Sequence, residues 1–373
     1  MKKMILLLTF IFQITVFSQN ILSINSEGMN IKVEKISSNL GVVWGMTFIS
    51  DEDILFTLKE GKIGILNINN KKIKNIDNVP KVQYYGQGGL LDVQKSPNFN
   101  RDKYLYFTYV KNVKGEGVTV LSRAKFYNNE LISWKELLVS KSSSDTSRHF
   151  GSRITFDENS YIYFSIGDRG FRPNGQDLST HAGSIIRLNI DGTVPKDNPF
   201  VKQKGKLAEI YSFGHRNPQG LFYDKVTKNL WSVEHGPRGG DEINLIQKGK
   251  NYGWAKVSYG KEYWNPLYVG EAREKEGIEK PKKVFTPSIA PSSLIVYRGK
   301  TFKKWNGDIL VGALKLTHLN RIVLNKNNEV IKEERLLKEL GERIRDVIQS
   351  PKGDLYISTD SGNIYRLTLV KSK

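Results

Sequence analysis

One histidine and four basic residues have the types and surroundings that chemistry needs. His149 follows Arg148 in the segment RHFGSR. An imidazole titrates near neutral pH and neighbouring cations lower its pKa, so His149 is a candidate general base. Guanidinium and ammonium groups bind carboxylates and phosphates, and four such groups stand in loop-like segments. They are Arg216, Lys315, Arg343 and Arg345.

The motifs of several other chemistries are missing from the sequence. The chain has no cysteine, which excludes a disulfide framework, a thiolate metal site and a cysteine nucleophile. It has no HExxH zinc pattern, no Walker loop and no GxSxG elbow, and GDRGFRPNGQD lacks the carboxylate spacing of an EF-hand. Taken singly, an arginine is more typical of a surface ion pair, and a histidine beside Phe150 of a structural role. The chemistry therefore depends on whether the fold brings these residues together.

Short strands between turns recur six times and must position these residues. Each repeat is a turn rich in Asp, Asn or Gly, an alternating strand, a second turn and another strand. Small antiparallel sheets of this size cannot bury both faces alone and stack radially. The sequence therefore predicts an all-β fold, a six-bladed β-propeller of four-stranded antiparallel sheets; a β-sandwich with a helical insertion is the alternative. One strand residue marks each repeat: Leu55, Tyr106, Tyr163, Trp231, Leu310 and Tyr356.

The segments between the strands predict where a site would lie. Residues 331–340, IKEERLLKEL, have helical spacing of their apolar residues and predict a helix. Residues 167–217 and 252–291 predict long loops, and long loops on one face of a rigid scaffold are where sites are usually built. Because the candidate residues mostly follow or precede strands, we expect them to converge on the central channel as a polar, cationic cleft.

The N-terminus has the pattern of an export signal. Lys2 and Lys3 precede an apolar run that ends near the small residue Ser18, so residues 1–18 are predicted to be a signal peptide. A membrane anchor is the alternative, but the run is short for one. We therefore expect an exported protein, periplasmic or secreted, without stable membrane insertion, and a single propeller domain over residues 19–373.

The basic charge does not indicate a nucleic-acid partner. The chain has 57 Lys and Arg against 38 Asp and Glu, a net charge of +19. These residues are scattered, with no long basic run and no nucleic-acid motif, so we expect no nucleic-acid binding. A general basic surface favours anionic partners instead.

The order of the glycine-rich segments resembles a known family. GQGGLLDV, RHFGSR, GDRG, GHRNPQG, EHGPRGGDEINLI, KNYGW, IAPSS and RIRDV follow one another between about residues 40 and 367. This order is similar to that of the soluble sugar dehydrogenases that depend on pyrroloquinoline quinone (PQQ), the glucose/sorbosone dehydrogenase family. It resembles the aldose sugar dehydrogenase branch more than the larger glucose dehydrogenases. The fold of that family is a six-bladed propeller, as the repeats predict.

The resemblance implies where PQQ would bind. The cofactor would lie over the central channel, and its three carboxylates would meet Lys315, Arg343 and Arg345. Gln87 and Asn217 would add polar contacts. An anionic cofactor would thus account for the cationic cluster.

The resemblance also implies two calcium ions. The first would be held by the main-chain carbonyls of Gly236 and Pro237 together with PQQ, and would polarise the quinone carbonyl. The second, structural ion would lie at Glu242 and the carbonyl of Tyr252. Oxygen ligands of this kind suit a hard cation.

The implied reaction is the oxidation of an aldose at C1 to a lactone. His149 would take the proton of the anomeric hydroxyl while the C1 hydride passes to PQQ, and Arg216 would stabilise the developing negative charge. The electrons would then pass to an external acceptor, which could be a quinone, a cytochrome or a dye. A catalytically silent propeller that binds a carbohydrate or a protein is the alternative, and a lactone hydrolase is a third reading.

Four residues depart from the family pattern. Ser152 and Ser293 stand where glycine is frequent, and both are expected to crowd the cleft slightly. Arg148 and Arg169 stand where the glucose dehydrogenase branch has Asp and Gln near the substrate. The sugar specificity of that branch is therefore not carried over to this chain.

Overall fold

Runs such as DILFTL, IYFSI and LYIST, separated by turn residues, form the strands of six antiparallel sheets. The structure is a computed structural model that describes residues 20–370, so the predicted signal peptide, residues 1–18, lies outside the described part. Within residues 20–370, no helix is long and apolar enough to span a bilayer. The predicted six-bladed propeller is confirmed.

The first three blades follow one another along the chain. Blade 1 contains β3 (Val43–Phe48), β4 (Asp53–Leu58), β5 (Lys62–Asn67) and β6 (Ile73–Ile76). Blade 2 contains β7 (Leu90–Lys95), β8 (Tyr104–Val113), β9 (Glu116–Tyr127) and β10 (Glu130–Val139), with the short helix α1 (Phe99–Asp102) between β7 and β8. Blade 3 contains β11 (Ile154–Phe156), β12 (Ile162–Ile166), β13 (Ser184–Leu188) and β14 (Ile210–Phe213), with the 3-10 helix Arg172–Gln176.

The last three blades complete the ring. Blade 4 contains β15 (Pro218–Asp224), β16 (Asn229–Glu234), β17 (Asp241–Ile246) and β18 (Lys283–Phe285). Blade 5 contains β19 (Pro291–Val296), β20 (Ile309–Ala313), β21 (His318–Leu324) and β22 (Val330–Leu336), with the 3-10 helices Lys303–Trp305 and Lys338–Leu340. Blade 6 contains β23 (Ile344–Gln349), β24 (Leu355–Thr359), β25 (Ile364–Leu369), β2 (Met29–Ser37) and β1 (Asn20–Ser26).

Blade 6 joins the two ends of the chain. β2 pairs antiparallel with β25, with Ile31 opposite Leu369 and Val33 opposite Leu367. β1 then adds a fifth strand outside β2. The N-terminal strands therefore close the ring on the C-terminal strand.

The predicted repeat positions all fall on equivalent strands. The six marker residues lie on β4, β8, β12, β16, β20 and β24, and each of these is the second strand of its blade. The first strands, β3, β7, β11, β15, β19 and β23, contact one another around the axis. These inner strands begin at one end of the channel and end at the other, so loops that precede them meet at one mouth.

The predicted helix over residues 331–340 is wrong. The segment forms the outer strand β22 and a short 3-10 helix. Glu333 and Glu334 face opposite sides of the sheet, as in any strand: Glu333 accepts from Asn320, and Glu334 accepts from Arg321. Leu337 has a φ of +62°, which ends the regular segment. The segment is therefore stabilised as a strand by the contacts of its charged side chains, and not as a helix by the burial of an apolar face.

The core lies between the blades. Six clusters of buried apolar residues each fill the interface between two neighbouring blades, one for every interface of the ring. Leu55 and Phe107, for example, pack together between blades 1 and 2, and Trp231 packs with Val311 between blades 4 and 5. Every blade thus buries both faces against its neighbours.

A buried ion cluster, here called the axial hub, lies on the axis of the ring. It consists of Arg153 with Asp92 at 2.9 Å and Asp346 at 3.1 Å, and all three side chains are buried. Burial and the neighbouring Asp92 raise the pKa of Asp346 to about 7, although Arg153 opposes this shift. The other contacts of Arg153 are with the carbonyls of Gln219 (3.2 Å) and Ser292 (3.4 Å) and with the ring of Trp44 (4.3 Å). The hub thereby touches all six blades and separates the two ends of the channel.

Candidate active site

The candidate base is held by a buried carboxylate. His149 lies in the loop that leads into β11, the inner strand of blade 3, and its Nδ1 donates to Asp168 Oδ1 at 2.6 Å. Asp168 follows β12 and also accepts from the indole N–H of Trp254 at 2.6 Å and from the Gly170 N–H at 2.7 Å. This network assigns the proton to Nδ1 and leaves Nε2 as the basic atom. Gln87 Oε1 accepts the backbone N–H of His149 at 2.7 Å, which connects a second blade to the base.

A glycine permits this close approach. A Cβ on Gly167 would lie 2.3 Å from the His149 carbonyl and 2.9 Å from Asn217 Oδ1. Any larger residue would therefore push the end of β12 away from His149. Glycine at this position lets Asp168 reach the imidazole.

The electrostatics keep His149 neutral and Asp168 ionised. Burial lowers the pKa of His149, and the positive charges of Arg216 and Arg148 lower it further, while the hydrogen bond to Asp168 opposes the shift. Burial opposes the ionisation of Asp168, but the hydrogen bond and charge of His149, the charge of Arg216 and the Gly170 N–H together outweigh it, so the pKa of Asp168 is lowered. At neutral pH the pair is a free base with an anionic support, which is the state a general base requires.

Arg216 lies in the same cluster as His149. Its guanidinium donates to the carbonyls of His235 (3.1 Å) and Gly236 (2.9 Å). It also lies 5.3 Å from the centre of the Trp254 ring, whose N–H holds Asp168. The structure thus brings together the two residues predicted to be catalytic.

The predicted anion-binding arginines lie at a cavity on the axis, here called the upper cavity. It has a volume of about 230 Å³, and its lining includes Gln87, Arg343 and Arg345. The two arginines share one carboxylate: Arg343 Nε donates to Asp360 at 2.8 Å and Arg345 Nε at 2.7 Å. Lys59, a residue that the sequence analysis missed, adds a further positive charge to the lining.

Lys315 and Asn217 lie beside the upper cavity and are not part of its lining. Lys315 is exposed, and it follows Leu314, whose carbonyl accepts from Arg343 at 3.2 Å. Asn217 is fully buried; its Oδ1 accepts from the Gly151 N–H at 3.2 Å. Its Nδ2 has no hydrogen-bond partner among residues 20–370. An unused buried donor of this kind is costly unless a ligand completes it.

The carbonyls predicted for the first calcium lie in the loop before β17. The Gly236 carbonyl accepts from Arg216, and the Pro237 carbonyl accepts from Ser288 Oγ at 3.0 Å. Asp241 fixes this loop by accepting from the Gly236 N–H at 2.8 Å, and burial raises the pKa of Asp241 to about 6. A carbonyl has two lone pairs, so both oxygens can still accept a cation. Within the described residues, no cluster of three or more His, Cys, Asp or Glu supplies a carboxylate-rich metal site.

The residues predicted for the second calcium stand beside a pair of carboxylates. Asn244 Nδ2 donates to Glu234 at 3.0 Å and to Glu242 at 3.2 Å. Burial, followed by the charge of Glu234, raises the pKa of Glu242 to about 8. The ring of Tyr252 stacks at 4.7 Å on His215, which donates to Glu234 at 3.0 Å. The structure thus brings Glu242 and Tyr252 into one cluster and adds Glu234, whose repulsion a cation would relieve.

Two expectations about the cleft are not met. Arg169 is fully buried, stacks over Phe150 at 3.5 Å and donates to the Thr146 carbonyl at 3.0 Å, so it does not face a substrate. Ser152 and Ser293 are also buried and do not crowd the cleft. Burial lowers the pKa of Arg169 to about 10.

The long loop between β17 and β18 reaches the site through an arginine. Arg172 makes a two-point ion pair with Glu262, with both distances 2.7 Å. Its guanidinium lies 5.8 Å from the ring of Trp254 and 5.9 Å from that of Trp264. Trp264 is 73% exposed, so this loop presents an aromatic face beside the base.

Asp168, Trp254 and Asp360 are the main functional residues that the sequence analysis missed. Asp168 and Asp360 could have been predicted from the strand register of the hairpins in which they lie. Continuing the register that pairs Ile154 with Phe164 places position 149 opposite position 169, next to Asp168. Continuing the register that pairs Ile344 with Thr359 places position 343 opposite position 360.

Comparison with known proteins supports a family assignment. The family model described as Glucose / Sorbosone dehydrogenase matches residues 40–366. The chain is 34% identical over 347 residues to the aldose sugar dehydrogenase YliI of Escherichia coli, covering 91% of this chain and 93% of that one. It is 30% identical over 423 residues to quinoprotein glucose dehydrogenase B of Acinetobacter calcoaceticus, covering 91% and 87% of the two chains. The crystal structure of the apo form of the soluble E. coli aldose sugar dehydrogenase has a TM-score of 0.87 and 32% identity, covering 91% of this chain and 99% of that one.

Proposed function

The chain belongs to the glucose/sorbosone dehydrogenase family, and from that premise we propose that it is a PQQ- and calcium-dependent aldose dehydrogenase. It would oxidise the C1 hydroxyl of an aldose to a lactone. The observation that carries the proposal is the His149–Asp168 pair beside Arg216 at the mouth of the cationic channel. A binding platform has no need of an oriented neutral imidazole at this place.

The upper cavity fits an anionic cofactor. Arg343 and Arg345 line it and share the one carboxylate of Asp360, and Lys315 lies beside it, so positive charge remains for the carboxylates of a ligand. The unused Nδ2 of Asn217 offers a donor for a ligand oxygen. Gln87 connects this group of residues to the backbone of His149. Bound PQQ would supply the two-electron acceptor for the hydride.

The proposed metal ions have separate roles. The Gly236 and Pro237 carbonyls would hold a calcium that acts as a Lewis acid together with the cofactor. Glu242 and the Tyr252 carbonyl would hold the structural calcium, with Glu234 close by. Burial and then the charge of Glu234 raise the pKa of Glu242, and a cation between the two carboxylates would relieve their repulsion.

The residues of the chain would divide the reaction between them. His149 Nε2 would take the proton of the C1 hydroxyl while the hydride of the C1–H bond leaves for the two-electron acceptor. The C1–O bond would then become the carbonyl of the lactone. Asp168 stabilises the imidazolium that forms. Arg216 places a positive charge where negative charge develops. Two electrons then leave to an external acceptor, a quinone, a cytochrome or a dye.

The predicted export belongs to the same proposal. The mature chain, residues 19–373, would work in the periplasm or outside the cell, where aldoses and the cofactor reach it.

The two alternative functions, a silent binding propeller and a lactone hydrolase, have less support. A lactone hydrolase would need side-chain carboxylates converging on a channel cation, and the part of the chain from residue 20 to residue 370 offers no such cluster.

The test is reconstitution of residues 19–373 with PQQ and calcium, followed by dye reduction over a panel of aldoses. We expect saturable PQQ binding and sugar-dependent reduction. His149→Ala should keep PQQ affinity and lose turnover, whereas Arg343→Ala should weaken PQQ binding. Absence of PQQ binding would favour the silent binding propeller, and full activity of both variants would refute the site assignment.

A further inference from the structure

We propose that the channel has a second ligand site at the end opposite His149, and that this site binds an amphipathic carboxylate, a small organic anion with an aromatic or aliphatic body. The site does not depend on the proposed dehydrogenase activity. A large cavity, here called the lower cavity, opens at that end, with a mainly apolar wall and two lysines at its rim that form no ion pair within residues 20–370.

The lower cavity is formed by the far ends of all six inner strands. Its volume is about 640 Å³, within the range of pockets that bind small organic molecules. The axial hub forms its floor, because Arg153 and Asp346 belong to its lining while Trp44 and Gln219 line the upper cavity. The two cavities therefore open at opposite mouths of the channel.

The wall of the lower cavity suits an apolar body. Phe48, Phe156, Phe222, Leu294 and Ile348 come from five different blades and line it. Polar side chains such as Thr155 and Gln349 also line the cavity, but the apolar side chains gain more from a hydrocarbon body than from the hydroxyls of a free sugar. The wall accommodates aromatic rings or a short alkyl chain.

The rim carries two lysines without ion pairs. Lys95 ends β7 and is half-buried, and Lys225 follows β15; both line the cavity. Neither takes part in an ion pair within residues 20–370, and the adjacent carboxylate of Asp224 is already bound by Arg298 at 2.6 Å. Burial, and then the charge of Lys225, lowers the pKa of Lys95, while the charge of Asp51 opposes this. An anion at the rim would compensate these charges.

The floor and the rim together orient the ligand. The floor is the axial hub, in which the two carboxylates of Asp92 and Asp346 already share the guanidinium of Arg153. The floor therefore has no positive charge left to attract an anion. The rim carries the positive charge, and the wall between them is apolar. The ligand would therefore enter with its apolar body first and leave its carboxylate between Lys95 and Lys225.

Probe binding tests the proposal on the folded mature chain. 1-Anilinonaphthalene-8-sulfonate, an apolar ring system with one anionic group, should bind saturably with enhanced fluorescence, and decanoate should displace it. The double variant Lys95→Gln/Lys225→Gln should weaken both ligands at least about tenfold, the effect of losing roughly 1.4 kcal/mol of binding free energy. The matched control Lys202→Gln/Lys204→Gln removes the same charge from exposed lysines outside the cavity and should leave both affinities unchanged.

Two further measurements locate the bound probe. Gln94 lines the cavity, and within residues 20–370 its side chain accepts one hydrogen bond, a long one of 3.4 Å from Thr47, so Gln94→Trp should fill the space and abolish binding without unfolding the chain. Thermal unfolding of that variant checks the fold. Saturating PQQ should not displace the probe, because the hub separates the two cavities. Four results would overturn the proposal. They are displacement of the probe by PQQ, equal losses of probe affinity in the two lysine double variants, unchanged binding in Gln94→Trp, and the absence of saturable binding.

Discussion

Replacing Arg153 by Met should destabilise the propeller and make its stability depend strongly on pH. The substitution keeps most of the side-chain volume but removes the cation that Asp92 and Asp346 share at 2.9 and 3.1 Å. Breaking a buried ion pair by removing one partner costs about 3–5 kcal/mol. With an unfolding entropy of about 2.1 cal/mol/K per residue, a domain of about 350 residues would lose roughly 4–7 °C in Tm.

The pH dependence distinguishes this mechanism from a simple loss of packing. Burial already holds the pKa of Asp346 near 7 and raises that of Asp92. Without Arg153 both pKa values should rise further, so the folded variant binds protons at pH 5 that its unfolded chain does not. Stability of the variant should therefore increase as the pH falls from 8 to 5, and the loss relative to the parent protein should be larger at pH 8.

Chemical and thermal unfolding at pH 5 and pH 8 would measure this effect. Adding Asp92→Asn and Asp346→Asn to Arg153→Met should recover part of the loss, since it removes the unpaired charges. Arg187→Met is the matched control: Arg187 is also buried, but its partner Asp197 is largely exposed and can return to water. A loss that is equal at both pH values, or equal to that of Arg187→Met, would refute the reasoning.

Three further predictions concern the proposed active site. Asp168→Asn should lower kcat by about 10²–10⁴-fold with PQQ affinity unchanged, because an amide cannot stabilise the imidazolium; steady-state kinetics beside a PQQ titration would show it, and an unchanged kcat would contradict the role. Because burial lowers the pKa of His149, kcat/KM should stay level on acidification through pH 6.5 and fall only below it, so a profile that falls above pH 6.5 would contradict the assignment. At about pH 9, where Glu242 is ionised despite its pKa of about 8, Glu242→Gln should raise Tm in chelator by removing the repulsion with Glu234, and should lose the calcium-dependent gain that the parent shows, about 2.7 kcal/mol at a calcium concentration of 100 Kd; an equal calcium response in both proteins would exclude this site.

The sequence was most informative about the fold, because strand periodicity and turn residues are local signals. All six marker residues, from Leu55 to Tyr356, occupy the second strand of a blade. The helix predicted for residues 331–340 is wrong because a helical spacing of apolar residues does not show the ion pairs that Glu333 and Glu334 make with Lys283 and Arg321 of other strands. The fourth strand of blade 6, β2, likewise depends on pairing with the distant strand β25.

The site was predicted less completely, since its residues depend on contacts across hairpins. The residue types and the segments around them were enough to select four candidates: His149, Arg216, Arg343 and Arg345. Their acidic partners were not selected, because an aspartate in a turn is ordinary until the strand register places it beside a base or an arginine. Arg169 is a further case, because its sequence position does not show that the fold buries its guanidinium over the ring of Phe150.

The pairing of β2 with β25 has a consequence for biosynthesis. The closing sheet joins β2 to β25, more than 300 residues later, so it cannot form until Ile364–Leu369 have left the ribosome. Contacts of such high sequence separation slow folding, because the loop entropy must be lost before they form. During synthesis the first five blades would therefore exist as an open arc with two unpaired interfaces. The pairing of β2 with β25 is thus the step that turns this arc into a ring.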